Sequence, residues 1–230
     1  LVRQSGARDL DTRAPNQLFI NDRGVFREVE SAADPAGGHD ARFVDFDNDG
    51  DLDLYVVNGA HKLRNEPNRL YENRGGLDLV DVSEAAGVSG SASGRGATAT
   101  VLDFDNDGRM DIFLGNGEGP PPWNREGPQQ FFLNRSPAGN WLKVRLEASQ
   151  SNPMALGATV SVSTDDGEQQ RFVNAATGAL ATDWQPVHFG LGDADVVDVR
   201  VHWPSGVVQE RRVSANRVVT LKETTEGAGK

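Results

Sequence analysis

Two nine-residue stretches carry the side chains with the clearest chemical potential. Asp45-Phe-Asp-Asn-Asp-Gly-Asp-Leu-Asp53 places carboxylates at positions 1, 3, 5, 7 and 9, and Asp103-Phe-Asp-Asn-Asp-Gly-Arg-Met-Asp111 at positions 1, 3, 5 and 9. Oxygen donors at this spacing suit a hard cation, since Ca2+ takes about 6–8 oxygens at about 2.3–2.6 Å. In the first loop, Asp45, Asp47, Asp49 and Asp53 with the carbonyl of Asp51 can wrap one ion. In the second, Asp103, Asp105, Asp107 and Asp111 with the carbonyl of Arg109 can wrap another. Gly50 and Gly108 at position 6 permit the positive φ of a tight turn. Phe46 and Phe104 at position 2 are expected to point away from the ion into the core. Mg2+ fits poorly, because it demands an octahedral, water-rich shell. Two Ca2+ sites are the expectation.

Electrostatics favours occupancy. Two carboxylates about 5 Å apart repel by about 3 kcal/mol at an effective dielectric of about 20. Four make six pairs, a gross repulsion comparable with the whole stability of a domain. A cation removes that conflict; without one the loop opens or takes up protons. An EF-hand needs Glu at position 12 and flanking helices. Here position 12 is Val56 or Leu114, in strand-like sequence, so that reading fails. A merely solvated acidic run does not explain why one hexapeptide, Asp-Phe-Asp-Asn-Asp-Gly, recurs 58 residues later with Asp again at the ninth position.

The elements that hold these loops repeat too. Asn16-Gln-Leu-Phe-Ile-Asn21 resembles Asn68-Arg-Leu-Tyr-Glu-Asn73, and Gln130-Phe-Phe-Leu-Asn134 begins a third copy. Short strands are predicted at 25–29 and 77–82, and Leu54 with Val56, like Ile112 with Leu114, shares one strand face at period 2. Only Ser83 to Ala86 has helical character. A β unit of this period predicts propeller blades. The segment 115–128 reads as a loop, with three successive prolines; its Trp123 either anchors the loop or serves as a binding aromatic. From Trp141 the repeat stops. Strands are predicted at 141–148, 158–164, 169–174, 187–191, 196–203, 207–213 and 217–221, with turns at 165–167, 190–192 and 204–206. The predicted fold is all-β: two propeller-type blades, a partial β-propeller, over residues 1–138, then a β-sandwich-like domain over 139–222 and a flexible tail over 223–230.

Composition sets the outer bounds. The 230 residues contain no Cys, and 34 acidic against 23 basic side chains give a net charge of −11. Thiolate metal sites, disulfides and cysteine nucleophiles are excluded. The acid excess argues against nucleic acid, and no apolar run approaches the length of a membrane helix. No nucleophile elbow or phosphate-binding Gly loop occurs. His188 and His202 read as satisfied strand residues, His39 precedes the first acidic loop, and His61 carries no pattern.

Asn68-Arg-Leu-Tyr-Glu-Asn73, Asp81-Val-Ser-Glu-Ala-Ala-Gly-Val88, Asp103-Phe-Asp-Asn-Asp-Gly108 and Gly115-Asn-Gly117 resemble the FG-GAP/VCBS calcium-binding propeller repeat. Asn140-Trp-Leu-Lys-Val-Arg-Leu146, Gly157-Ala-Thr-Val160, Val187-His-Phe-Gly-Leu-Gly192, Val199-Arg-Val-His-Trp-Pro-Ser-Gly206 and Ala215-Asn216 resemble the ASPIC/UnbV domain of cartilage acidic protein-like chains. The resemblance covers nearly the whole chain. It implies integrin-like Ca2+ loops at the eight side-chain ligands above and a secreted, extracellular or periplasmic, non-enzymatic role. Ala179-Leu-Ala-Thr-Asp-Trp184 departs from the family pattern, which puts any ligand contact there in doubt.

Two blades cannot close a propeller of 4–8. A longer parent chain, assembly with copies of itself, or packing on the C-terminal domain or a partner would each cover the open faces. The expected function is a calcium-binding module for extracellular interaction with protein or glycan, not an enzyme. The alternatives are a structural subunit completed by edge-to-edge pairing and an enzyme or biosynthetic accessory subunit.

Overall fold

The computed structural model describes residues 2–3, 16–29, 38–58, 66–91, 96–116, 127–165, 167–175 and 186–224. Three antiparallel sheets form the first part. The first contains β1 (Val2–Arg3), β2 (Gln17–Asp22) and β3 (Val25–Val29), paired in that order. The second is a four-stranded meander of β4 (Gly38–Val44), β5 (Asp53–Asn58), β6 (Arg69–Asn73) and β7 (Leu79–Asp81), followed by the one-turn α1 (Ser83–Ala86). The third contains β8 (Gly96–Leu102), β9 (Asp111–Asn116) and β10 (Gln130–Phe132). Each acidic loop joins the first two strands of a blade, β4 to β5 and β8 to β9.

The blades are out of phase with the sequence repeat. A unit beginning at Asn16 runs through β2 and β3 of one sheet and then β4 and β5 of the next. Sequence similarity marks the period and not where a sheet begins, which is why the three-stranded sheet ahead of the two predicted blades is an addition.

The middle blade is covered on both faces. Leu54 and Val56 of β5 pack with Leu18, Tyr71 and Leu79. Tyr55 and Val57 point the other way, into a core with Phe46, Leu70, Val101, Ile112 and Leu114. Hence all six β5 residues are buried. An ion pair adds to this second contact: Arg42 reaches Asp40 at 3.0 Å and donates from Nε to the Ala99 carbonyl at 2.6 Å. The third sheet is covered on one face only. Phe46 is buried as predicted, but Phe104 is 64% exposed, against expectation. Phe46 owes its burial to the blade that follows it; among the described residues no further blade follows the sheet of Phe104. It packs instead edge-on against Phe131, ring centroids 4.9 Å apart.

The C-terminal part is a sandwich of two sheets. One has the order β14-β11-β17, from β11 (Asn140–Glu147), β14 (Val187–Gly192) and β17 (Arg217–Lys222). The other has the order β13-β12-β15-β16, from β12 (Thr159–Thr164), β13 (Gly167–Phe172), β15 (Val196–His202) and β16 (Val208–Ser214). Alternate residues fill the space between: Leu142, Val144, Val160, Phe189, Val199 and Leu221 are all buried there. The predicted turn at 190–192 is instead the end of β14, since Gly190 pairs with Trp141. Glu223 and Thr224, predicted to belong to the tail, lie among the described residues. Glu223 is 4% exposed. Its carboxylate accepts the backbone N–H groups of Ser149, Gln150 and Ser151 at 2.7–2.8 Å and the hydroxyls of Ser151 and Ser205. Burial alone would raise its pKa, but these donors hold it well below the usual carboxylate range. Among the described residues no helix is long and apolar enough to cross a membrane.

Candidate metal centre

The two acidic loops share one backbone design. Asn48 and Asn106 at position 4 lie in the left-handed region, with φ of 60° and 59°, and Gly50 and Gly108 have φ of 103° and 90°. Gly50 N–H donates to Asp45 Oδ2 at 3.0 Å, and Gly108 N–H to Asp103 Oδ2 at 2.8 Å. The ninth-position carboxylates close both loops. Asp53 accepts from the N–H of Phe46 and of Asn73 at 2.8 and 2.9 Å; Asp111 accepts from those of Phe104 and Asn134, both at 2.8 Å.

Within this frame the carboxylates converge. In the first loop, single oxygens of Asp45, Asp47 and Asp49 all lie within 4.8 Å of one another; in the second, those of Asp103, Asp105 and Asp111 do so. Asp51 and Asp53 stand outside the first trio. Asp107 is turned toward Arg109 and Arg135.

The first loop suits a hard cation on evidence independent of its acidity. Asp45 is 2% exposed, and its Oδ1 is buried without a hydrogen-bond partner, as is Asn48 Oδ1. Burial, then repulsion from Asp49, Asp53 and Asp47, pushes the Asp45 pKa up to about 7, against the opposing Gly50 N–H. Burial likewise raises Asp53 to about 6, and raises Asp47 and Asp49. Such carboxylates are costly as bare anions, and a divalent cation offsets that cost. In the second loop burial raises Asp111, whereas the hydrogen bond from Arg135 lowers Asp105.

Both loops meet the C-terminal sandwich. Asn48 O accepts from Gly192 N–H and Asp47 O from Gly139 N–H, each at 2.8 Å. Asn48 Nδ2 donates to the carbonyls of Gly108, at 3.2 Å, and Gly139, at 3.3 Å, tying the two loops together. A Cβ on Gly190 would fall 2.1 Å from Asp45 Oδ2 and 2.5 Å from Asn48 Cα, so only glycine lets β14 approach this closely. His188 Nε2 donates to Gly108 O at 3.1 Å, and burial lowers its pKa to about 4. It is the satisfied strand residue that was predicted, while His202 is exposed on β15. Trp123, His61 and the segment 179–184 lie outside the described residues, as does the side chain of His39.

Sequence reasoning missed three participants. Lys143, Arg135 and Gly190 bear on the loops from outside the repeat. Lys143 occupies the polar phase of an alternating strand, which reads as solvent-facing.

Family models match on both sides of this junction: an FG-GAP-like repeat over residues 45–114 and ASPIC and UnbV over residues 148–228. The chain thus resembles FG-GAP-like repeats over its first part and an ASPIC and UnbV domain over its second. Both acidic loops fall inside the FG-GAP-like match, whose first residue is Asp45. The chain is 30% identical to cartilage acidic protein 1 of Mus musculus over 215 residues, covering 90% of this chain and 32% of that protein. It is 31% identical to the Homo sapiens protein, covering 90% and 31%, and 28% identical to that of Xenopus tropicalis, covering 89% and 32%. It thus spans about a third of the length of these curated relatives.

Proposed function

We propose that this chain is a secreted, non-catalytic calcium-binding module. Bound Ca2+ rigidifies the first acidic loop at the junction of blades and sandwich, and the module presents its surface to an extracellular protein or glycan. The observation that carries this reading is Asp45: a buried carboxylate with one unpartnered oxygen, grouped with Asp47 and Asp49 in an FG-GAP-like repeat. Asp45, Asp47 and Asp49 are the side chains that would hold the ion, with Asp51 and Asp53 closing the loop. The second loop groups Asp103, Asp105 and Asp111 in the same way, but Lys143 lies on Asp103, and Arg109 and Arg135 lie on Asp107. A carboxylate shared with a divalent ion stays ionised and makes a poor general acid, which supports the non-catalytic reading.

Thermal unfolding with Ca2+ and with EDTA tests the metal claim. An ion at a hundred times its Kd adds about 2.7 kcal/mol, and at this chain length each kcal/mol shifts Tm by about 2–4 °C. A rise of about 5–10 °C is expected; an unchanged Tm sinks the reading.

One observation favours a second role, as a subunit completed by edge-to-edge assembly. Phe104, Phe113, Phe131 and Leu133, 39–64% exposed, lie on the uncovered part of the third sheet, and β10 is an edge strand among the described residues. Sedimentation of the purified chain as a monomer at all concentrations removes this reading.

A further inference from the structure

The loops share hydrogen bonds but not neutralising charges. Among the described residues no Lys, Arg or His nitrogen forms an ion pair with Asp45, Asp47, Asp49, Asp51 or Asp53. The second loop is fully engaged. Lys143 of β11 extends Nζ onto Asp103 Oδ2, with Lys143 4% exposed and the Asp103 side chain sealed from solvent. Arg135 bonds Asp105 at 2.9 Å and Asp107 at 3.1 Å, and Arg109 pairs with Asp107. Asp111 is taken by backbone N–H groups. Trp141 seals the junction. Lys143 Nζ lies 5.3 Å from its ring centroid, and a Cβ on Gly108 would fall 1.9 Å from its indole nitrogen.

We propose that the Lys143 ammonium is the built-in cation of the second loop, standing where the first loop takes an exchangeable Ca2+. The proposal rests on the calcium reading of the first loop. Lysine carries a compact point charge with three donors on a flexible stem, and a buried ammonium persists only when paired. A divalent ion entering the second loop must displace Nζ from Asp103 and then sit beside that stranded positive charge. Filling the second loop therefore opposes docking of β11 on the blades. In the first loop the sandwich contributes Gly190, and the half-buried Arg171 of β13 acts on Asp45 only through space, without forming an ion pair.

Counting calcium per chain tests this. The full 230-residue chain is stripped with chelator, dialysed to equilibrium against buffered Ca2+ and analysed for bound metal. Wild type is expected to hold one tight ion, Asp45→Asn to lose it, and Asp103→Asn to leave the count at one. Lys143→Met, which keeps an unbranched stem and removes the charge, is expected to tighten a second site at least tenfold. Two equal ions in wild type, one of them lost in Asp103→Asn, overturn the proposal and leave the calcium reading standing. No second-site gain in folded Lys143→Met overturns it too. If that variant does not fold, Asp103→Asn decides. Absence of any tight ion in wild type removes the calcium reading and the proposal together.

Discussion

Asp45 and Asp103 hold the same position in two loops whose closing hydrogen bonds match donor for donor. Yet Asp45 Oδ1 is buried without a partner, whereas Asp103 Oδ1 accepts from Asp107 N–H and Asp103 Oδ2 meets an ammonium group. The repeat encodes a loop conformation: asparagine in the left-handed region, glycine at position 6, and a ninth-position carboxylate that pulls the turn shut. It does not encode the electrostatic environment. Much of that comes from the non-repeating sandwich, which lays glycine backbone directly on one loop, with Arg171 acting on Asp45 only through space, and sets a charged side chain directly on the other. Equal sequence motifs thus acquire unequal chemistry from their neighbours.

The largest effect should come from cutting the charge across the second loop. Lys143→Ala leaves Asp103 buried and uncompensated, and breaking a buried pair from one side costs about 3–5 kcal/mol. Chemical denaturation in chelator should show this loss, and added Ca2+ should recover much of it as the ion enters the vacated loop. A loss below about 1 kcal/mol would mean that the contact carries no weight. At Asp45 the opposite sign is expected. Asp45→Asn relieves burial and repulsion, so in chelator it should stabilise by about 1–3 kcal/mol while abolishing the Tm rise on Ca2+ addition. Equal signs for the two variants would break the comparison.

The Ca2+-free protein should also reveal the asymmetry through pH. Asp45, at about 7 when folded and 3.8 as its ordinary value, binds more protons in the folded state across that window. Asp53, raised to about 6, acts in the same direction. Their contribution to stability therefore falls as pH rises from about 4 to 7. Asp105, lowered by Arg135, contributes stability above its ordinary pKa that is lost as pH falls through its lower folded value. In chelator, Tm should be higher at pH 5 than at pH 8 by several degrees, and Asp45→Asn should flatten the difference. With saturating Ca2+ the slope should reverse, since protons then compete with the ion.

Much of this was legible in the sequence. The spacing of Asp45 to Asp53 gave the loop, period-2 alternation gave β5, β9 and most of the sandwich, and position 6 gave the glycines with positive φ. What stayed hidden depends on contacts between distant segments. The phase of the blades is set by which strands pair, which a repeat leaves open. Phe46 and Phe104 are identical within their motif, and only the presence of a following blade separates a buried ring from an exposed one. Lys143 alternates with Leu142 and Val144 as a solvated lysine would; its burial arises because the blades cover the outer face of β11. Gly190 has the composition of a turn, but the backbone of the first loop approaches it from outside its own domain.

The smallest effect discriminates within the second loop itself. Arg135 neutralises Asp105 and Asp107, but its side chain is 59% exposed, whereas Lys143 is buried. Exposed ion pairs contribute about 0.2–1 kcal/mol and are screened by salt. Arg135→Ala should therefore cost less than about 1 kcal/mol at low ionic strength and almost nothing in 1 M salt. The Lys143→Ala loss should persist, because the Debye atmosphere does not reach a pair sealed between β11 and the loop. Denaturation of both variants at the two salt concentrations makes the test. If Arg135→Ala is the costlier change, the second loop is held by its exposed arginine and not by the buried lysine of the sandwich.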